Sequence, residues 1–180
     1  MGRLLAEAAS MHEGLNVVQT RSYGPEARGG ASKSQVVISS GEIDDLRNPT
    51  CDILVCLSQQ ACDRYYSCLR EDGVFIVDST NVGVVPTTRA LELPMTRLAT
   101  ETCGSPMMTN VVGLGVLSAY TKIVSLAALK RAVNDSVKPN FRDQNIQALE
   151  LGHVSARDMV TSMPETKRER IPNFANVLAS

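Results

Sequence analysis

Two short stretches, Asp52-Ile53-Leu54-Val55-Cys56-Leu57-Ser58 and Val74-Phe75-Ile76-Val77-Asp78, are almost uninterrupted runs of apolar, largely branched side chains. A strand with one wet face alternates polar and apolar residues, whereas a strand buried on both faces does not. Between the two runs lies QQACDRYYSCLRED, of helical character, with Gly73 as its expected stop. Strand, helix and strand over residues 52 to 78 make a βαβ unit, whose right-handed crossover lays both strands parallel in one sheet. The chain is thereby committed to an α/β fold in which helices cover the sheet.

The remaining segments fit that plan. RLLAEAASM at 3 to 11 reads as an amphipathic helix with Leu4, Leu5, Ala8 and Met11 on its apolar side. Residues 16 to 20 and 34 to 39 read as strands, rich in β-branched side chains, and 90 to 93 as a further strand. Pro94 opens a helix to about Thr102. MTNVVGLGVLSAY at 108 to 120 is apolar all round, a buried helix whose Gly113 and Gly115 cut bulk where a neighbour packs closely. Ser125 is a natural N-cap for LAALKRAVND, with Leu126, Leu129 and Val133 on one face. Pro139 starts a last helix that buries Phe141, Ile146, Leu149 and Leu151, and Gly152 ends it. We therefore place one domain over residues 1–152. Residues 153–180, charged and broken by Pro164 and Pro172, read as an extended C-terminal arm.

Several function classes are disfavoured. A net charge of −1 and the lack of a basic run interleaved with aromatics speak against nucleic-acid binding. No apolar run approaches the roughly 20 residues that span a bilayer, and MGRLLAEAASMHE lacks the apolar core of a signal peptide, which points to a cytoplasmic protein. Five cysteines, without a CxxC pair, read as reduced thiols rather than a metal or iron–sulfur site. His12 and His153 stand far apart, with no carboxylate or cysteine at metal-ligand spacing, so neither metal ligands nor catalytic residues are assigned.

The candidate site is the loop inside TRSYGPEARGGASKS. Its glycines permit positive φ and close approach, Pro25 stiffens it, and Arg21, Arg28 and Lys33 are opposed only by Glu26. Tyr23, Gly24, Pro25, Glu26, Arg28, Gly29 and Gly30 could present amides and a guanidinium to an anion, or form an ordered turn closed by an Arg28–Glu26 pair. Ser58 and Asp78, at the carboxyl ends of the two buried strands, stand where open parallel sheets bind ligands; an N-cap for Ser58 and a turn start for Asp78 are the plainer readings. Asn110 reads as a cap or packing residue ahead of the buried helix.

SYGPEARGGASKSQVVIS at 22 to 39, DILVCLSQQACDRY at 52 to 65, GVFIVDS at 73 to 79 and NVVGLGVLSAYTKIVSLAAL at 110 to 129 together resemble the gamma subunit of 2-oxoacid:ferredoxin oxidoreductases, over roughly residues 2 to 152. The GPEARGG and SKSQVVIS wording is most similar to chains of the 2-oxoglutarate (2-oxoglutarate synthase) and branched-chain types. The resemblance implies a single three-layer α/β domain, like domain III of pyruvate:ferredoxin oxidoreductase, with a mostly parallel sheet. Family members start with a strand and a turn resembling GxGGQG, ahead of the helix in which this chain opens, so the sheet is expected without that first strand.

The resemblance also implies a complex that decarboxylates a 2-oxoacid on thiamine diphosphate and Mg²⁺, passes electrons through [4Fe–4S] clusters to ferredoxin, and gives the acyl group to coenzyme A. Those cofactors would sit on partner alpha and beta subunits, with a delta subunit as a further candidate, and the isolated chain would be inactive. The Tyr23 to Gly30 loop would face a partner or coenzyme A. The alternative from another class is a free-standing nucleotide- or coenzyme A-binding α/β module.

Overall fold

A computed structural model of the chain describes residues 1–22, 32–44, 49–165, 171 and 174. Helix α1 (Gly2–Glu7) widens into a π turn (Ala8–His12) and leads to the strands β1 (Asn16–Ser22) and β2 (Lys33–Ser39). Then follow β3 (Cys51–Cys56), α2 (Gln59–Tyr65), a 3₁₀ turn (Tyr66–Cys68), β4 (Leu69–Asp78), β5 (Leu91–Leu93) and α3 (Met95–Cys103). A 3₁₀ turn (Pro106–Met108), α4 (Thr109–Thr121), α5 (Leu126–Ser136) and α6 (Pro139–Ser162) complete the order.

Strands β3, β4 and β5 form a parallel sheet in that order, and β1 and β2 pair antiparallel from Asn16↔Ser39 to Ser22↔Lys33. The apolar run of β4 explains the layering. Successive side chains leave a strand on opposite faces. Val74 and Ile76 join the larger core with Leu5, Ala8, Val112, Val116 and Leu149. Phe75 and Val77 join Cys56, Cys62 and Val82 on the other face, beneath α2. Helices thus cover the sheet on both sides, as expected of the three-layer α/β reading.

The helix after β3 is shorter than the sequence suggests. It ends at Tyr65, and Gly73 lies inside β4 rather than at a helix stop. Between Cys51↔Leu69 and Ile53↔Val74, β3 advances two residues while β4 advances five, so Arg70 to Gly73 bulge out of the ladder. A Cβ at Gly73 would stand 3.0 Å from the backbone oxygens of both Arg70 and Asp52, which is why a glycine occupies this position. Arg70 closes the bulge on Asp52 at 3.1 Å.

Two apolar faces also differ from the expectation. The π turn places an extra residue in the first helix and shifts its phase, so that Ala9 is buried, Met11 is 67% exposed and His12 reaches Asp135 at 3.0 Å. In α6, Leu149 is buried but Phe141 is 53% exposed.

Helix α6 does not stop at Gly152 but runs ten residues further to Ser162, so residues 153–162 are helical and not part of an extended arm. Gly152 serves α4 instead. A Cβ there would fall 2.8 Å from the Val112 carbonyl carbon, and one at Gly115 would fall 2.9 Å from the His153 nitrogen. The two backbones meet at these glycines, the close approach that Gly115 foretold. The helix that Ser125 caps is also as read, its hydroxyl accepting from the Ala128 nitrogen at 3.2 Å.

Candidate functional site

The residues singled out in the loop, Tyr23, Gly24, Pro25, Glu26, Arg28, Gly29 and Gly30, lie outside the described residues. What the structure does describe is the stalk that carries them. Strands β1 and β2 stay in register up to Ser22↔Lys33, which sets the two ends of the loop one strand spacing apart. The first turn of α1 rests on this stalk: a Cβ at Gly2 would meet the Ser34 Cβ at 3.0 Å and the Gln19 amide nitrogen at 3.1 Å. Gln19 Nε2 donates to Ser34 Oγ at 3.1 Å. On the far side, Lys33 Nζ sits 5.6 Å from the centre of the Tyr65 ring, and the Arg64 guanidinium 5.7 Å from it.

The carboxyl edge of the parallel sheet holds the other candidates. Asp78, the last residue of β4, is wholly buried. Its Oδ1 accepts from the Thr80 nitrogen at 3.1 Å and the Thr96 nitrogen at 3.2 Å. Its Oδ2 accepts from Asn81 Nδ2 at 2.9 Å and the Thr96 hydroxyl at 2.5 Å. Thr96 Oγ1 in turn accepts from Asn81 Nδ2 at 2.8 Å and stands 3.1 Å from Thr109 Oγ1. Four donors on two oxygens satisfy a buried carboxylate and leave it little to offer a substrate. Asp78 is therefore a latch that ties the ends of β4, α3 and α4 together. Its contact with Thr80 is an Asx turn, so the plainer reading of Asp78 as a turn start holds.

Ser58 is the N-cap of α2, its hydroxyl accepting from the Ala61 nitrogen at 3.3 Å. Asn110 is neither a cap nor buried: it is the second residue of α4 and exposed, while Thr109 turns inward to the Thr96 hydroxyl and donates to the Pro106 oxygen at 2.7 Å. Sequence reasoning passed over Thr96 and Thr109. The only signal for them was Thr80 and Asn81, two and three residues after a buried Asp, while Thr96 lies beyond β5 and Thr109 a helix further on. Gln59 closes the same edge, its Oε1 accepting from the nitrogens of Gly83 and Val84 at 3.0 Å each.

The thiols do not gather into a ligand set. Among the described residues no three His, Cys, Asp or Glu side chains stand together as a metal site would require. All five cysteines are free, three of them buried. Burial first, then the neighbouring Cys68 and Asp52, pushes the Cys51 thiol up to about 11; burial and the adjacent Cys62 and Cys51 push Cys56 up to about 12. Among the described residues no helix is long and apolar enough to cross a membrane.

Comparison with known proteins bears on the same residues. The family model described as pyruvate ferredoxin/flavodoxin oxidoreductase matches residues 1–154. The chain is 42% identical over 162 residues to the 2-oxoglutarate synthase subunit KorC of Methanocaldococcus jannaschii, covering 88% of this chain and 87% of that protein. The crystal structure of a keto/oxoacid ferredoxin oxidoreductase gamma subunit from Geobacter sulfurreducens superposes with a TM-score of 0.77 at 40% identity, over 86% of this chain and 88% of that one. The 2-oxoglutarate:ferredoxin oxidoreductase of Magnetococcus marinus shares the fold, with a TM-score of 0.77 at 24% identity, over 87% of this chain and 28% of its own longer chain. The sheet, the helices on both its faces and this extent of sequence identity lead to one conclusion: the chain belongs to the pyruvate ferredoxin/flavodoxin oxidoreductase family.

Proposed function

We propose that this chain is the gamma-type, non-catalytic subunit of a 2-oxoglutarate:ferredoxin oxidoreductase. The observation that carries this reading is the 42% identity to a 2-oxoglutarate synthase subunit along nearly the whole of both chains. In the assembled enzyme 2-oxoglutarate loses its carboxylate as CO₂, two electrons pass to ferredoxin, and the succinyl group is transferred to coenzyme A. Thiamine diphosphate, Mg²⁺ and [4Fe–4S] clusters reside on the alpha and beta partners, with a delta subunit as a further member, in the cytoplasm.

Within this assembly the loop from Tyr23 to Gly30 faces a partner subunit or coenzyme A, and Arg28 contacts an anionic group there. Its stalk supports the role, since α1 and the β1–β2 ladder hold both ends of the loop.

Anaerobic co-expression with the neighbouring subunits tests the reading. Complete complex should reduce ferredoxin with 2-oxoglutarate and coenzyme A, complex without this chain should not, and the chain alone should be inactive. A chain that stays monodisperse and forms acyl-coenzyme A by itself would overturn the assignment. Arg28→Ala should weaken assembly or raise the apparent KM for coenzyme A, and wild-type behaviour in both would remove Arg28 from the interface.

A further inference from the structure

Strand β1 joins two ends of the molecule. The Tyr23 to Gly30 segment follows its last residue, whereas Leu15, just before its first, lines a cleft of about 910 Å³. Seven strand residues separate these ends by roughly 20 Å. The cleft opens between the carboxyl-terminal half of α6 and the turn that links α4 to α5. Its floor includes Leu15, Ala119, Ile123 and Val160, and α6 adds His153, Arg157 and Thr161, spaced by four and therefore on one stripe.

The polar groups of this cleft are unevenly matched. Lys122 is the one non-glycine at positive φ among the described residues, with φ 55, a conformation that costs a lysine about 1 kcal/mol relative to glycine. It forms no ion pair with a described residue. Arg157 has only Asp158, its neighbour in sequence, at 3.9 Å, and its side chain is 67% exposed. The carboxylate of Glu13 is engaged, its Oε1 accepting from the Ser125 nitrogen at 2.7 Å at the start of α5. The Nδ1 of His153 is shut off from water without a hydrogen-bond partner. Two cations from different elements thus stand over half-buried apolar residues, and among the described residues Lys122 has no ion pair and Arg157 only the long contact to Asp158.

We propose that this cleft seats an acidic segment of a partner subunit, with a carboxylate between Lys122 and Arg157 and an apolar side chain beside it on Leu15, Ile123 and Val160. The proposal rests on the reading of the chain as a subunit. A protein segment fits better than a small anion because the cations form an exposed rim around an open apolar floor, the layout of an interface centre and its edge.

Zero-length carbodiimide cross-linking of the assembled complex, read by mass spectrometry, should join Lys122 to an Asp or Glu of a partner subunit. Acetylation of Lys122 should be slowed about tenfold or more in the complex relative to the free chain. Lys122→Arg should abolish the cross-link and keep assembly. Lys122→Glu combined with Arg157→Glu should speed dissociation by about tenfold or more at low salt, with the effect shrinking as salt rises. Lys122 cross-linked only to Glu13, or acetylated equally fast in complex and free chain, would overturn the proposal while leaving the subunit reading intact. The labelling uses the wild-type chain, so misfolding of a variant does not decide the outcome. A chain that assembles with no partner would overturn both.

Discussion

Replacing Gly152 by alanine tests the central packing contact of this fold. The added methyl would lie 2.8 Å from the Val112 carbonyl carbon and 3.1 Å from its Cα, and closer still to the carbonyl oxygen, where ordinary contact begins near 3.4 Å. The atoms met are backbone, so no rotamer change relieves the clash and α4 and α6 must part. Overpacking of this kind costs about 3 kcal/mol, the upper end for small-to-large core changes. Against it stands the better helix propensity of alanine, about 1 kcal/mol. The clash wins, and the net loss should be about 2 kcal/mol, a fall in Tm of about 4–8 °C for a chain of this size. Urea unfolding followed by far-UV circular dichroism suits the measurement, since the chain has no tryptophan. Gly83→Ala is the control, with nothing within 4 Å of its Cβ and a φ outside the left-handed region; it should fall within about 0.5 kcal/mol of wild type. If Gly152→Ala were as stable as that control, the two helices would not meet backbone to backbone and the reasoning would fail.

Other outcomes follow from the same contacts. Asp78→Asn places an amide among the four donors that now converge on the carboxylate, and should cost about 1–3 kcal/mol in denaturant titration. Ser125→Ala removes the cap on α5 and should cost about 1 kcal/mol by the same assay. With its thiol held at about 11, Cys51 is ionised in about one molecule in a thousand at pH 8; iodoacetamide should label it slowly there and progressively faster above pH 10. Its raised pKa also favours the folded state only while the thiol is protonated, so this contribution should be whole below about pH 9 and lost as pH rises through about 11, which unfolding curves across that window would register.

What the sequence determined by itself was local or strictly periodic. The unbroken apolar runs of β3 and β4 required a sheet covered on both faces, because no wet face could accept Phe75 or Ile76. Ser58 and Ser125 were legible as caps because the acceptor and the amide it serves lie three residues apart. The ordered segments carrying the family likeness were legible in the same way, each in its own stretch of chain. Glycine was where reading along the chain failed: Gly73 and Gly152 both resemble helix stops, and only their neighbours across space show one to be a bulge and the other a helix crossing. Asp78 as a saturated latch, and the stripe of His153, Arg157 and Thr161 beside Lys122, were likewise decided by tertiary structure. The reason is physical: a carboxylate's donors and a glycine's nearest atoms come from elements far apart in sequence, and packing alone brings them within range.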